Sequence, residues 1–313
     1  MTDTTAASYL TLYPGGAPRP TASNLNWAPR HTVANLVEVP LASDGTVDLF
    51  NAAGSADVVI DAQGWVQSAT STAAYGSYLN PMAPYRVLDT RDGTGGPNVK
   101  LGPGATITVQ VDGGFSSALV LNLTVTNATA PSYLVVWPAG QSRPASSDLN
   151  FAAGETVANR LIVPVAGSID IYNAAGSVDV IADLNGGFRA ESSAATTACR
   201  LVPMTPTRIL DTREGSGPLG PNSSRSVQVT GAVVPATARA VVLNITVTNT
   251  SAASYLTAWP DQSARPLASD LNWTAGLTTP SLAVVELSSD GKFDLYNAAG
   301  TTDTVIDVAG WYQ

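Results

Sequence analysis

An all-β fold of tandem antiparallel β-sandwich modules, jelly-roll or immunoglobulin-like, is what this 313-residue chain predicts, on three observations. One segment occurs three times: Ser8-Tyr9-Leu10-Thr11-Leu12-Tyr13-Pro14, Ser132-Tyr133-Leu134-Val135-Val136-Trp137-Pro138 and Ser254-Tyr255-Leu256-Thr257-Ala258-Trp259-Pro260. The period of about 120 residues is that of a whole domain rather than a solenoid unit. Apolar residues alternate with period two, the signature of strands. Turn-forming pairs separate the apolar runs, and no segment carries a helical pattern.

Each repeat has a front and a back half. The front half runs from Tyr85-Arg86-Val87-Leu88-Asp89-Thr90-Arg91 to Val125-Thr126-Asn127, and again from Thr207-Arg208-Ile209-Leu210-Asp211-Thr212-Arg213 to Val247-Thr248-Asn249. The back half runs from the Ser-Tyr-Leu segment to Gly64-Trp65, Gly187-Phe188 or Gly310-Trp311. The order along the chain is back, front, back, front, back. This predicts an incomplete repeat at 1–66, a linker at 67–78, a full module at 79–188, a linker at 189–198 and a full module at 199–313. The linkers are rich in Ser, Ala and Thr and predict flexible or semi-extended joints.

The elements follow in order. Ile107, Val109 and Val111 alternate with Thr108, Gln110 and Asp112, giving one strand. Leu119, Leu121, Leu123 and Val125 then share a face, opposite Val120, Asn122, Thr124 and Thr126. Val241, Leu243, Ile245 and Val247 repeat this against Val242, Asn244, Thr246 and Thr248. One apolar and one mostly polar face predict a half-exposed sheet. Asp44-Gly45 and Asp290-Gly291 mark hairpins, with Ala166-Gly167 between them in the middle copy. The Asn-Ala-Ala-Gly runs Asn51 to Gly54, Asn173 to Gly176 and Asn297 to Gly300 read as four-residue loops. The count is about eight short strands per full repeat, which suits two packed sheets.

Composition excludes several functions. The net charge of −9 argues against a nucleic-acid groove. Only 12% of residues are charged, so the polar surface is built from Thr, Ser, Asn and Gln. Cys199 is the one cysteine, so no intrachain disulfide forms, and it reads as a small apolar residue. No apolar run approaches the length of a membrane span. No signal peptide precedes Thr2, and the first copy opens mid-repeat. Either the protein stays in the cytoplasm or this is a mature or trimmed fragment, and the mid-repeat start makes the fragment the expectation.

Catalysis is tested by repetition. His31 is the one histidine; Glu155 and Leu277 hold its place in the other copies, so no His-based triad or metal site repeats. Asp57 with Asp61, Asp179 with Asp183 and Asp303 with Asp307 recur. Along a strand each pair is about 13 Å apart, too far for a paired-carboxylate site; turn hydrogen bonds explain them. The glycine-rich runs after Asp92 and Glu214 lack the Lys and helix of a phosphate loop and any standard calcium spacing, so they read as turns. No catalytic residue, metal or cofactor is expected.

Two constellations remain. Arg86, Asp89 and Arg91, with Arg208, Asp211 and Arg213, form a structural clamp that pins strand to loop; gripping a sugar or carboxylate is the other reading. The aromatics Tyr13, Trp27, Trp137, Phe151, Trp259 and Trp273 are candidates for stacking on sugar rings, with Asn26, Asn150 and Asn272 as polar neighbours. The competing reading places these rings in the core.

At the Leu-Asp-Thr-Arg segments the chain resembles a known group. Arg86 to Gly93 and Arg208 to Gly215, with the later Asn-Ala-Ala-Gly and Gly-Trp or Gly-Phe, are similar to β-rich repeat modules of secreted and surface proteins of actinobacteria. The resemblance covers nearly the whole chain, apart from the front half missing from the first copy. It implies an accessory extracellular or cell-surface module and supplies no catalytic residue. The expected function is a non-catalytic structural or attachment role. One alternative is binding of cell-wall or other glycan. Another is a fibre or surface-layer subunit that self-associates through strand completion of residues 1–66.

Overall fold

The computed structural model describes residues 1–62, 64–66, 77–111, 114–115, 117–190 and 200–313. Cys199 and most of both linkers lie outside the described residues. Among the described residues every pairing between strands of the sheets is antiparallel.

Among the described residues the first complete module has eight strands. They are β4 (Ser77–Asp89), β5 (Thr106–Gln110), β6 (Ala118–Thr126), β7 (Ser132–Pro138), β8 (Leu149–Phe151), β9 (Val157–Pro164), β10 (Ser168–Asn173) and β11 (Asp179–Ala190). They form two sheets, ordered β4-β11-β6-β9 and β5-β10-β7-β8. Numbered within the module, the orders are 1-8-3-6 and 2-7-4-5. Strands 1 and 8, 2 and 7, 3 and 6, and 4 and 5 are neighbours throughout. That is a long antiparallel ribbon rolled into two layers, the jelly roll, and of the two expected sandwiches it is this one.

The second module repeats it. Its strands are β12 (Leu201–Asp211), β13 (Ser223–Gln228), β14 (Ala240–Thr248), β15 (Ser254–Pro260), β16 (Leu271–Trp273), β17 (Thr279–Glu286), β18 (Lys292–Asn297) and β19 (Asp303–Tyr312). The sheets are β12-β19-β14-β17 and β13-β18-β15-β16. Each module has its own core between its sheets. Leu119, Leu121, Leu123 and Val125 enter the first core; Val241, Leu243, Ile245 and Val247 enter the second.

The other face of β6 and β14 is not half-exposed. Val120, Asn122 and Thr124 are buried, as are Val242, Asn244 and Thr246. The reason is a second apolar cluster outside both sandwiches, where the repeats meet. It holds Leu79 and Val120 from the first module, and Val242, Leu282, Val284 and Tyr312 from the second. Leu36 of the first repeat packs against it. The polar residues of this face find partners across the boundary. The Asn122 amide donates to the Ser269 carbonyl of the second module, and Asn244 donates to the Ser23 carbonyl of the first repeat. Ser23, Ser147 and Ser269 are equivalent positions, so one contact is used twice in cyclic order. The carboxylates follow the same cycle: burial raises the pKa of Asp183 and of Asp148, with a smaller contribution from the charge of Asp270 to the first and of Asp61 of the first repeat to the second.

The first repeat is half a sandwich. Strands β1 (Ser8–Pro14), β2 (Leu25–Trp27) and β3 (Val47–Asn51) form one sheet, ordered β2-β1-β3. Met1, Leu10, Leu25 and Trp27 gather on it. Met1 and Thr2 stand where β6 ends: Thr2 bridges Asp57 as Thr126 pairs with Asp179. Residues 33–40, 57–62 and 64–66 hold the places of β9 and β11, and among these described residues no strand forms. The cause is in the ladder. β11 lies between β4 and β6, whereas beyond the Thr2–Asp57 bridge the described residues 58–62 and 64–66 have neither neighbour to pair with.

Candidate functional site

The Leu-Asp-Thr-Arg segment ends β4, and its side chains reach β11. Arg86 holds Asp183 with Nε at 3.0 Å and Nη2 at 3.4 Å, while its Nη1 reaches Asp89 at 3.0 Å. Arg91 grips the same Asp89 from the other side at 2.9 and 2.6 Å. The second module matches: Arg208 holds Asp307 at 2.9 and 3.1 Å and reaches Asp211, which Arg213 also grips. A planar fork suits such two-point contacts. Burial pushes the Asp89 carboxyl up, but hydrogen bonds and charge from Arg91, with the charge of Arg86, outweigh it and hold the pKa below its usual value. Asp183 is buried more deeply, and there burial wins over Arg86, so its pKa is raised. All six residues expected to clamp strand to loop are in this tie.

The recurring aspartates of the back half are its sockets. Thr90 Oγ1 donates to Asp179, and Asn127 Nδ2 donates to it at 2.8 Å. Thr212 and Asn249 do the same to Asp303, at 2.8 and 2.9 Å. Every donor comes from a front half and every acceptor from a back half. Sequence pattern found both sets but did not join them, because between 52 and 99 residues separate partners that only the rolled ribbon brings together.

In the first repeat the equivalent acceptors are bare. Asp57 and Asp61 are exposed, and among the described residues no side chain hydrogen-bonds either carboxylate. The apolar residues between and after them are uncovered as well. Val59 is 69% exposed, Ile60 61% and Trp65 83%, where Ile181 and Ala182 are 6% and 0%. Leu49 on β3 is 42% exposed, while its counterparts Ile171 and Leu295 are fully buried.

The aromatic candidates have structural surroundings. Trp27, Trp137, Phe151, Trp259 and Trp273 are buried, and Tyr13 is half-buried. Phe151 and Trp273 are core residues. The indole N–H of Trp137 donates to the Gln141 carbonyl, that of Trp259 to Ser263 and that of Trp273 to Ala252. Asn26, Asn150 and Asn272 donate to Ser23, Ser147 and Ser269 Oγ at 3.0, 3.1 and 3.0 Å. The five buried rings therefore offer no open stacking face, whereas Tyr13 stays partly exposed.

A different surface group repeats in all three copies. Arg19 lies 3.7 Å over the Phe50 ring, Arg143 3.8 Å over Tyr172 and Arg265 3.6 Å over Tyr296. Tyr9 and Tyr255 lean on the same rings, with centroids 6.1 Å apart. The sequence signal was the recurring Arg-Pro at 19, 143 and 265, together with the aromatic before each Asn-Ala-Ala-Gly. One open hollow of about 490 Å³ lies beside the second Asp-Thr-Arg segment, lined by Thr212, Arg213, Asn249 and Asp303.

Among the described residues no cluster of His, Cys, Asp and Glu is placed to hold a metal, and no helix is long and apolar enough to cross a membrane. No protein-family model matches the chain, and no curated protein matches it.

Proposed function

We propose that the chain is a non-catalytic structural or attachment element of an extracellular or cell-surface protein, akin to the actinobacterial repeat modules it resembles. One observation carries this reading: the polar residues repeated from copy to copy are engaged within the fold. Arg86, Asp89 and Asp183 tie front to back half. Asn24, Asp148 and Asp270 accept the backbone N–H of Leu12, Val136 and Ala258. Residues that act on a substrate have to face solvent, and Asp89, Asp183, Asp148 and Asp270 are buried. Repeats that also bury a shared face against one another make a stiff unit suited to spacing or anchoring.

A second reading rests on the Arg–aromatic shelves, which are partly exposed and present in every copy. A charged plane on an aromatic ring suits an acidic or hydroxyl-rich glycan. Peptidoglycan pull-down and a glycan array separate the two. The structural reading expects no retention. Retention that is lost in an Arg143→Ala, Arg265→Ala variant overturns it in favour of glycan binding.

A further inference from the structure

The structure assigns to residues 1–66 a docking site for one kind of partner, a front-half β-segment of the Leu-Asp-Thr-Arg type that is not part of residues 1–313. This goes beyond the structural role proposed above and does not depend on it.

The occupant is defined by what the two complete modules place at the same positions. There, β11 and β19 are covered on one edge by β4 or β12 and on the other by β6 or β14. In the first repeat, Thr2 pairs with Asp57 where β6 ends, but among the described residues 58–62 and 64–66 pair with no strand on either edge, and an uncovered apolar strand sequence is a template for strand addition. Its polar positions specify the partner further. Asp61 stands where Asp183 and Asp307 receive the forks of Arg86 and Arg208. Asp57 stands where Asp179 and Asp303 receive Thr and Asn. Asn51 shows the same gap: Asn173 and Asn297 each donate to three carbonyls, two of them in the front half, while Asn51 donates to Gly54 alone. An Arg and a Thr at the end of one flanking strand, and a pair of carbonyls in the connection that follows it, are the chemistry that fits.

Further copies of residues 1–313 cannot supply it. Each copy has three back halves and two front halves, so any closed exchange among copies leaves one back half over per chain. Self-association through residues 1–66, one of the routes expected from sequence, moves the vacancy without filling it.

The test uses the full chain with two additions, read by amide hydrogen exchange over residues 57–66. In one arm a synthetic peptide of residues 83–93 is added in trans. In the other, residues 77–124 are joined ahead of Met1, which puts the next residue at the position of Val125. The expected result is at least ten-fold slower exchange in one arm or both, lost on Asp57→Ala, Asp61→Ala. Both replaced residues are exposed, so the variant keeps its fold, which circular dichroism checks. Unchanged exchange in both arms overturns the proposal. So does slow exchange that persists in the double variant, and so does a dimer of the unaided chain that already protects residues 57–66.

Discussion

The Arg160 guanidinium, on β9 of the first module, donates to the Asp270 carboxylate of the second, and both side chains are sealed from solvent. Asp270 also accepts the Ala258 N–H at 2.7 Å, and Arg160 Nε donates to the Leu282 carbonyl at 3.3 Å. One ion pair thus joins two jelly rolls along the face where β6 and β14 are buried. At the next boundary in the cycle, Leu282 holds the place of Arg160, and Asn24 holds that of Asp270. Asn24 still accepts the Leu12 N–H, at 2.7 Å.

That difference yields a prediction with an internal control. Arg160→Ala leaves Asp270 buried and uncompensated and costs about 3–5 kcal/mol. The double replacement Arg160→Leu, Asp270→Asn copies the neighbouring boundary, keeps the backbone hydrogen bond and costs within about 1 kcal/mol. Denaturant unfolding of the wild type, the single variant and the double variant measures both. A double variant as unstable as the single one refutes the equivalence of the two boundaries.

Within the first module, Arg86→Ala removes the fork that neutralises Asp183, whose side chain is 1% exposed. The expected loss is about 3 kcal/mol, and Arg86→Lys recovers only part because a point charge cannot make the two-point contact. The second module has its own Arg208–Asp307 pair. Amide exchange should therefore speed up in β4 and β11 well before β12 and β19.

Much of this was legible in the sequence. Period-two runs and turn pairs are local signals, so strands and hairpins could be placed directly. Strand order could not be, since β4 meets β11 only after the ribbon rolls up. The polar face of β6 misled for a physical reason. Asn122 and Thr124 look like surface residues, but an interface between modules also needs hydrogen-bonding side chains, as the Asn122 to Ser269 contact shows. Trp137 and Trp259 misled in the same way: an aromatic in an exposed-looking run was a lid over its own loop.

The glycine-rich turns behave differently in the two modules. Gly95 has φ of +64°, and a Cβ there would lie 1.8 Å from the Val87 carbonyl oxygen. Gly217, its counterpart, has φ of +70° with open space around it. Gly95→Ala must shift the β4 backbone and costs about 3 kcal/mol or more, whereas Gly217→Ala carries only the left-handed penalty of about 1–2 kcal/mol. Thermal melts of the two variants decide this, and equal losses would rule out the close approach.

Residues 1–66 are held less tightly above neutral pH than below it. Glu38 stands where Ile162 and Val284 lie in the two modules, both of them part of the shared apolar cluster or packed against it. Its Oε2 is buried without a hydrogen bond, and burial raises its pKa to about 7. Burial, with the charge of Asp61 adding to it, raises Asp148 to about 6. Both acids bind their protons more tightly in the folded state than in the unfolded one. Their contribution is therefore complete below about pH 4, falls as pH rises through 6 and 7, and stays low above that. For Glu38 the shift corresponds to about 3 kcal/mol. Amide exchange over residues 1–51 should accelerate from pH 5 to pH 8 beyond its intrinsic pH dependence, and Glu38→Gln should flatten the trend, since a neutral amide has no proton to lose. A trend that keeps its full slope in Glu38→Gln would place the titration elsewhere.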